Sequence, residues 1–258
     1  MLELNKIYNG DCLELMKNID DNSIDLIVTS PPYNVGIEYD SWNDKLSLND
    51  YFNFAEKWLS ESFRVLKPDG RIALNVNYET NQRFNSERLF FASDYWQVMK
   101  KIGFKFFGLV DLKENQPEKV KYTAWGSWLS ASSPYIYNPK ECVILAYKES
   151  KNKLSKGKSY FTSENKQEFI KLVSGVWDYT AETKKYTEAN YSLSIPLNAL
   201  KILSYENDIV LDPFIGSGTT AIACLILKRN YIGFEISEKY YKIALERVKE
   251  VEYQQKLK

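Results

Sequence analysis

Histidine is absent from the 258 residues of this sequence, and its absence excludes several kinds of enzyme. A Ser-His-Asp triad, a histidine general base and a zinc site with histidine ligands all require imidazole side chains. Cysteine is scarce as well, because Cys12, Cys142 and Cys224 are far apart and form no Cys-x-x-Cys pair. We therefore expect neither a metal site nor a disulfide framework. An odd cysteine count is more typical of a reducing cytoplasm than of secretion.

An excess of charge is also missing, since 34 Lys and Arg residues balance 34 Asp and Glu residues. This balance excludes a uniformly basic coat for nucleic acid but leaves a local basic patch open. No apolar run is long enough to span a bilayer, and the N-terminal segment MLELNKIYNG holds no apolar signal region. We expect a cytoplasmic protein without membrane contact. Its apolar fraction of 44% is typical of a globular domain.

Short apolar runs alternate with amphipathic segments at both ends of the chain. This alternation predicts an α/β fold with a doubly wound, mostly parallel sheet. The run IDLIVT, residues 24–29, is typical of a strand that is buried on both faces. The predicted strands are 6–9, 24–29, 71–76, 104–109, 142–147, 209–211 and 231–235. The predicted helices are 12–19, 51–66, 94–102, 196–204, 219–228 and 238–249.

Residues 149–172 differ from the rest because they hold several lysines and few aliphatic side chains. We interpret them as an insertion in the α/β domain or as an exposed lobe. The sequence is therefore divided into a first half (1–148), an insertion (149–190) and a last part (191–258).

A glycine-containing segment, DPFIGSGTT at 212–220, lies directly between a predicted strand and a predicted helix. Glycines allow a tight turn and a close approach of backbone to a ligand at a helix N-terminus. Glu235 ends the next predicted strand, where a carboxylate can bind ribose hydroxyls. The segment is neither a Walker loop, since no lysine follows, nor a G-x-G-x-x-G motif. A tight turn without a ligand is the alternative.

A second segment, TSPPYN at 29–34, follows the predicted buried strand. Its two prolines fix the chain and remove two backbone donors, which leaves carbonyl oxygens and the Ser30 hydroxyl beside an aromatic ring. The alternative is a rigid turn with a packed tyrosine. Both segments lie beyond the carboxyl ends of strands, where α/β sheets bind ligands. Together they suit a nucleoside-type cofactor and a flat group that carries an amine.

These two segments resemble the motifs of the amino-group DNA methyltransferases, which use S-adenosyl-L-methionine. TSPPY resembles their (D/N/S)PP(Y/F) catalytic motif, and DPFIGSGTT resembles their cofactor loop. The catalytic motif comes first, as in the beta group, whose motif order is circularly permuted. The resemblance implies a Rossmann-like class I methyltransferase fold with an inserted target-recognition region. It spans nearly the whole chain, with a serine where many members have aspartate.

The resemblance also implies roles for individual residues. Ser30 and the carbonyl of Pro31 would accept the hydrogens of the target amine, while Pro32 completes the motif and Tyr33 would stack on a flipped base. Asp11 would approach the adenine amino group and Glu235 the ribose. The remaining implied cofactor residues are Cys12, Ser30, Asp212, Pro213, Phe214, Gly216, Ser217, Gly218 and Thr219. Structural alternatives are a helix N-cap for Asp11, a solvated strand end for Glu235, and core packing for Phe214 and Cys12.

The chemistry agrees with the composition. The exocyclic amine becomes acidic once it is methylated, so positioning can provide most of the catalysis without a histidine base. Methylation of cytosine C5 needs a nucleophilic cysteine, which in that family follows a proline. The residues before the three cysteines are Asp11, Glu141 and Ala223, so the sequence does not support that mechanism.

Double-stranded DNA is the implied partner, with the target base flipped out of the duplex. Candidate DNA contacts are Arg83, Arg88, Lys151, Lys153, Lys156 and Lys158, although a lysine run is often only a solvated loop. A cognate restriction endonuclease and a homodimer are further candidate partners. Ser30 favours cytosine N4 as the target, with adenine N6 as the alternative. A protein-glutamine methyltransferase, whose motif order is the reverse, and a non-catalytic nucleic-acid-binding module are less favoured.

Overall fold

The computed structural model describes residues 2–37, 41–82, 87–115, 127, 130–134, 136, 138, 140–154, 156–180, 186 and 192–256. The strands within these residues are β1 (Lys6–Asn9), β2 (Ile24–Thr29), β3 (Leu66–Asn77), β4 (Thr80–Gln82), β5 (Glu87–Leu89), β6 (Lys105–Glu114), β7 (Glu141–Tyr147), β8 (Val176–Tyr179), β9 (Ile209–Asp212) and β10 (Asn230–Glu235). The helices are α1 (Cys12–Met16), α2 (Leu48–Val65), α3 (Phe91–Ile102), α4 (Lys166–Leu172), α5 (Ser194–Leu203), α6 (Thr219–Leu227) and α7 (Glu238–Lys256).

Eight strands form one sheet in the order β1-β10-β9-β2-β3-β7-β6-β8, and β4 pairs with β5 in a separate hairpin. The first five strands pair in parallel, β7 is antiparallel to both of its neighbours, and β8 is parallel to β6. Every strand of this sheet except β7 therefore points in the same direction. The amino end of β7 lies at the edge where the other strands end. The predicted α/β class and mostly parallel sheet are confirmed.

Both faces of the sheet are covered by helices, as the predicted buried strand requires. All six residues of β2 are buried. Ile24 and Ile27 pack in the core under α1, α2 and α3. Leu26 and Val28 pack in the second core, with α5, α6 and α7. Because alternate side chains of a strand point to opposite faces, a strand between two helical layers is mostly apolar, and the two polar residues of β2, Asp25 and Thr29, each have a polar partner.

Several boundaries differ from the prediction for reasons of packing. Helix α3 begins at Phe91 and not at Asp94, because the Phe91 side chain is fully buried and stacks on Tyr51 at 5.6 Å. Strand β3 begins at Leu66 and not at residue 71, so it includes Lys67–Gly70, which lie between the predicted helix and the predicted strand. The pairing of β2 with β3 shifts register there, which accommodates the extra residues as an irregularity.

The predicted insertion at 149–190 is integrated in the same sheet over its described part. Strand β8 extends the sheet by pairing with β6, and the side chains of Trp177 and Leu172 are buried in the second core. Most of the described residues of 149–171 are nevertheless exposed, so the division of the chain stays a prediction. The role of the insertion in target recognition stays a prediction as well.

Within the described part of the chain, no helix combines the length and apolar character needed to cross a membrane.

Candidate active site

The carboxyl ends of four neighbouring strands, β1, β10, β9 and β2, meet at one edge of the sheet. Gly10 follows β1, Ser30 follows β2, Pro213 follows β9, and Glu235 ends β10. The chain leaves β2 towards β3 on one side and leaves β9 towards β10 on the other, so the winding direction reverses between β2 and β9. Open α/β sheets bind their ligands at such a reversal.

A cavity with about 1110 Å³ of empty space, part of it open to solvent, lies at this edge. The SPPY corner (Ser30–Tyr33) and the glycine turn (residues 212–220) face each other across it. The corner contributes Ser30, Pro31, Pro32 and Tyr33, and the turn contributes Pro213, Phe214, Ile215, Gly216, Ser217 and Thr219. Asp11, Cys12 and Glu235 also line the cavity. The structure therefore brings together most of the predicted site residues from four separate parts of the chain.

Asp212 lies behind the cavity wall and is not one of its lining residues. Its Oδ1 accepts hydrogen bonds from Thr29 Oγ1 at 2.7 Å and from the Phe214 amide at 3.0 Å, and its Oδ2 accepts one from Thr220 Oγ1 at 2.6 Å. Burial raises the pKa of this carboxyl to about 6. Asp212 therefore ties the end of β2 to the glycine turn and holds both motifs in place, and its implied role as a cofactor residue stays a prediction.

Two glycines give the turn its shape, but only Gly216 lines the cavity. Gly216 has φ of 54° and donates its amide hydrogen to Glu235 Oε2 at 3.0 Å. Gly218 has φ of 85° and lies against Ala244 of α7, where an added Cβ would be 3.2 Å from the Ala244 Cβ. Gly218 therefore has a packing role at the start of α6, and its implied contact with a cofactor stays a prediction.

Two carboxylates also line the cavity. Glu235 is 9% exposed and accepts backbone hydrogen bonds from Gly216 and, at 2.8 Å, from Ser237. It is therefore not a solvated strand end. Asp11 accepts a hydrogen bond from the Leu13 amide at 2.7 Å, so it caps α1 and also faces the cavity. Both side chains are held in fixed positions by backbone donors before any ligand binds.

Cys12 and Phe214 contribute apolar surface to the cavity. Cys12 is buried, and burial raises the pKa of its thiol, so it presents a neutral thiol and not a nucleophilic thiolate. The ring of Phe214 lines the cavity and also packs edge-on against Trp58 at 5.2 Å. Phe214 therefore packs against the core, as the structural alternative states, and it also lines the cavity.

The SPPY corner is held by two sets of hydrogen bonds. Ser30 Oγ is 2.9 Å from the Tyr33 hydroxyl, which also accepts a hydrogen bond from Asn75 Nδ2 at 2.7 Å. On the other side of the corner, the Tyr51 hydroxyl donates to the carbonyl of Pro32 at 2.7 Å and lies 2.6 Å from the Tyr95 hydroxyl. Burial raises the pKa of Tyr33 well above its ordinary value, so the phenol stays protonated.

A loop that the sequence analysis did not single out closes one side of the cavity. Ile37, Ser41 and Trp42 line the cavity, and the Trp42 ring lies 4.6 Å from that of Phe54. Asp44 shapes this loop, because its carboxylate accepts four backbone hydrogen bonds of 2.8 to 3.0 Å, from residues 34–37. The sequence signal for this loop is the segment SWND (residues 41–44), which places an aromatic residue and an aspartate shortly after the SPPY corner. Other unpredicted lining residues are Gly10, Phe54, Phe234, Ile236, Ser237 and Tyr240.

The lysines proposed as DNA contacts lie near the opposite edge of the sheet. The side chain of Lys153 is 4% exposed, and its Nζ is 3.0 Å from Asp208 and 3.5 Å from Asp25. Asp208 precedes β9 and Asp25 is near the start of β2, so this cluster lies at the amino ends of the strands. Lys153 is therefore a buried ion-pair partner and not a DNA contact.

The other lysines of this run share that location. Lys158 pairs with Glu206 at 3.2 Å, and the ammonium of Lys151 lies 5.6 Å from the centre of the Phe107 ring. Lys156 is exposed in the same segment. They lie near the edge of the sheet opposite the cavity, so they do not accompany a base into it, and a contact with other parts of a DNA duplex stays a prediction.

Arg88 is in a different position from the lysines. It belongs to β5, in the hairpin that follows the carboxyl end of β3, and its guanidinium pairs with Glu79 at 2.5 Å. The hairpin is therefore at the edge of the sheet where the cavity opens, and Arg88 stays a candidate DNA contact. Arg83 lies outside the described residues.

Comparisons with known proteins agree with this geometry. A family model described as DNA methylase matches residues 24–246. The chain is 38% identical over 179 residues to the type II methyltransferase M.MjaVI of Methanocaldococcus jannaschii, an alignment that covers 69% of this chain and 87% of the relative. It is also 29% identical over 258 residues to the type II methyltransferase M.HpaI of Haemophilus parainfluenzae. That alignment covers 94% of this chain and 74% of the relative.

Solved structures show the same fold. TTHA0409 of Thermus thermophilus, crystallised with S-adenosyl-L-methionine, matches with a TM-score of 0.71 and 24% identity, over 95% of this chain and 93% of that one. The PvuII DNA methyltransferase, which is cytosine-N4-specific, matches with a TM-score of 0.67 and 17% identity, over 96% of this chain and 91% of that one.

Proposed function

The chain belongs to the family of DNA methylases that act on N4 or N6 amino groups, and we propose that it methylates N4 of cytosine in double-stranded DNA with S-adenosyl-L-methionine as the methyl donor. The observation that carries this proposal is the shared cavity, which the SPPY corner and the glycine turn line from opposite sides. A methyl donor held by the turn and a base held by the corner would meet there.

The lining of the cavity suits an adenosyl group. Carboxylates accept hydrogen bonds from amino and hydroxyl groups, and Asp11 and Glu235 are both pre-positioned by backbone donors. Phe54, Phe234 and Ile236 supply apolar walls for a flat purine ring. We infer that Glu235 holds the ribose hydroxyls and Asp11 the adenine amine, with the backbone of the glycine turn beside the amino-acid portion. When bound, S-adenosyl-L-methionine supplies an electrophilic methyl group.

The corner suits the other reactant, a planar base with an exocyclic amine. The lone pair of such an amine is delocalised into the ring, so the nitrogen is a poor nucleophile until acceptors draw its hydrogens out of the ring plane. Ser30 Oγ and the backbone carbonyls of the two prolines are acceptors of this kind. We propose that Ser30 and Pro31 bind the amine and that Tyr33 contacts the face of the base. A base in a duplex cannot reach the cavity, so the base must flip.

The choice of cytosine N4 over adenine N6 rests on Ser30, because within the family a serine at this position favours cytosine. The test is mass spectrometry of nucleosides from DNA incubated with the chain and the methyl donor. N4-methylcytosine is the expected product. N6-methyladenine alone would reject the cytosine assignment while leaving amino-group methylation intact.

Variants connect the product to this cavity. Tyr33→Ala should lose most methylation, whereas Tyr253→Ala, an equal change at a residue of α7 that is 66% exposed, should keep it. DNA binding without transfer of label by the unaltered chain would instead favour a non-catalytic binding module. Label on a glutamine peptide but not on DNA would favour a protein methyltransferase. A cognate endonuclease and a homodimer stay predictions of the resemblance.

A further inference from the structure

A carboxylate lies behind the SPPY corner and is connected to it by hydrogen bonds. Glu141 Oε2 accepts a hydrogen bond from Asn75 Nδ2 at 2.6 Å and lies 3.4 Å from the Tyr33 hydroxyl. The Tyr33 hydroxyl is in turn 2.9 Å from Ser30 Oγ, which faces the cavity. A continuous path of oxygen atoms therefore runs from the cavity, through Ser30 and Tyr33, to Glu141.

The position of Glu141 follows from the topology of the sheet. It is the first residue of β7, the strand that runs against the others, and it pairs with Asn77 at the end of β3. The start of β7 therefore coincides with the carboxyl ends of β2 and β3. A parallel strand in the same place would put its last residue there instead.

The Tyr33 hydroxyl has two acceptors at 3.4 Å, the Asn75 carbonyl and Glu141 Oε2, and its contacts allow a proton path to the second of them. Asn75 donates to the Tyr33 oxygen at 2.7 Å, so this oxygen already accepts one hydrogen. Its own hydrogen can then point to Glu141, and the Ser30 hydrogen can point to the Tyr33 oxygen. In that arrangement Ser30 Oγ keeps a lone pair directed at the cavity, where it can accept a proton.

Neutral groups surround the Glu141 carboxylate. Among the described residues, no lysine or arginine pairs with it, and its hydrogen bonds come from the Asn75 amide and the Tyr33 phenol. Desolvation raises the pKa of Glu141 above its ordinary value, although the hydrogen bonds from Asn75 and Tyr33 oppose this. A carboxylate whose pKa is raised is a stronger base, which suits a proton acceptor.

We propose that Glu141 is a positioning residue for methyl transfer. It acts through Ser30 and Tyr33, which pass on to it the proton that the target amine releases. This inference rests on the proposed function. As the amino nitrogen bonds to the methyl carbon, the electron pair of the broken carbon–sulfur bond stays on sulfur. One proton then leaves nitrogen for Ser30 Oγ, the Ser30 proton moves to Tyr33, and the Tyr33 proton moves to Glu141. Ser30 and Tyr33 end unchanged, and Glu141 returns its proton to solvent after product release.

The test is the rate of methyl transfer from tritiated S-adenosyl-L-methionine under single-turnover conditions, so that product release does not enter. Glu141→Gln keeps the shape of the side chain and an acceptor for Asn75 but cannot take up a proton. We expect it to lower the rate about 100-fold, the lower end of the usual range for general acid–base catalysis. Binding of DNA and of the methyl donor should stay unchanged. Glu149→Gln, an exposed change beyond the other end of β7, is the matched control and should keep the wild-type rate.

The pH profile separates a proton acceptor from a merely structural residue. Among the described residues, the Asp111 and Glu114 carboxylates lie beside two of the titratable groups next to Glu141, which are the Tyr33 phenol, the Tyr179 phenol and the Cys142 thiol. Burial raises the pKa of all three, to about 12 for Tyr179 and Cys142, so they stay neutral near pH 7. The wild-type rate should fall as pH drops through the raised pKa of Glu141. This acidic limb of the pH profile should be absent from Glu141→Gln. Any limb due to Asp212 would remain in both proteins.

A double-mutant cycle tests the order of the path. Tyr33→Phe keeps the ring but removes the hydroxyl that connects Ser30 to Glu141. If protons pass through Tyr33, adding Glu141→Gln to Tyr33→Phe lowers the rate little further, because the path is already broken. Glu141→Asp should recover part of the rate, since it restores a carboxylate.

The outcomes distinguish this inference from the function on which it rests. Absence of transfer by the wild-type chain overturns the proposed function. Normal wild-type transfer with an unchanged rate and pH profile in Glu141→Gln overturns the path alone. A slow Glu141→Gln variant whose pH limb persists, and whose effect adds fully to that of Tyr33→Phe, also overturns it.

Discussion

Replacing Asp212 by asparagine should change how the stability of the chain depends on pH. The Asp212 side chain is 1% exposed, and it accepts hydrogen bonds from Thr29, Phe214 and Thr220. Burial raises the pKa of its carboxyl from an ordinary value of 3.8 to about 6. Asparagine has nearly the same shape and stays neutral at every pH of interest, so it represents the protonated state.

The sign and size of the effect follow from proton linkage. In the unfolded chain the carboxyl loses its proton near pH 3.8, whereas in the folded chain it keeps the proton up to about pH 6. Between these values the folded state binds more protons, so the free energy of unfolding decreases as pH rises. A shift of about two units corresponds to about 3 kcal/mol, at about 1.4 kcal/mol per unit. This contribution is present at pH 4 and lost by about pH 7.

The assay is urea denaturation of the wild type and of Asp212→Asn from pH 4 to pH 8. The stability of the variant relative to wild type should rise by about 3 kcal/mol across this range, because only the wild type has the buried charge. Asp20→Asn makes the same change at an exposed site and is the matched control for the loss of one carboxylate. Parallel curves for Asp212→Asn and wild type would refute the argument from burial.

Four further predictions concern the cavity wall and the cluster at the opposite edge. Tyr33→Ala should weaken DNA binding by about 1–3 kcal/mol, the usual value of base–aromatic stacking; an unchanged Kd in a fluorescence-anisotropy titration would contradict this. Trp42→Ala removes a ring from the cavity wall and should raise the Kd for S-adenosyl-L-methionine about tenfold, equivalent to about 1.4 kcal/mol, as isothermal titration calorimetry can measure. Asp44→Ala leaves the amides of residues 34, 35 and 37 without their acceptor, while Gly36 keeps the Asp44 carbonyl, and should lower the free energy of unfolding by about 3 kcal/mol; a loss below about 0.5 kcal/mol in urea denaturation would argue against the role of this carboxylate. Lys153→Met removes a buried ion-pair partner and should destabilise the chain by about 3–5 kcal/mol, while the salt dependence of DNA binding keeps its slope; a smaller slope would restore Lys153 as a phosphate contact.

The two motifs of the cavity could be predicted because their signals are local. An apolar run followed by Ser30 and two prolines predicts a strand and a rigid corner, whatever the rest of the chain does. Asp212 could be located in the same way, at the end of a strand and before a glycine turn. Its role could not, because the hydrogen bonds that occupy its carboxylate come partly from Thr29, in a strand far away in sequence.

The lysine run shows why charge alone is a weak signal. In the sequence, Lys153 is one of several basic residues in a polar segment and resembles a nucleic-acid contact. In the structure its ammonium is enclosed between Asp25 and Asp208, which belong to two other parts of the chain. A side chain can be assigned to solvent or to an ion pair only when its neighbours are known.

By itself, the sequence determined the alternation of strands and helices, the position of the SPPY corner and the glycine turn, and the resemblance to amino-group DNA methyltransferases. These depend on periodicity, proline, glycine and short motifs, all of which act over a few residues. Tertiary structure alone decided that β7 runs against its neighbours, and hence that Glu141 lies beside Asn75 and Tyr33. Strand order and direction result from the packing of the whole sheet, and so does any group of side chains that different strands bring together.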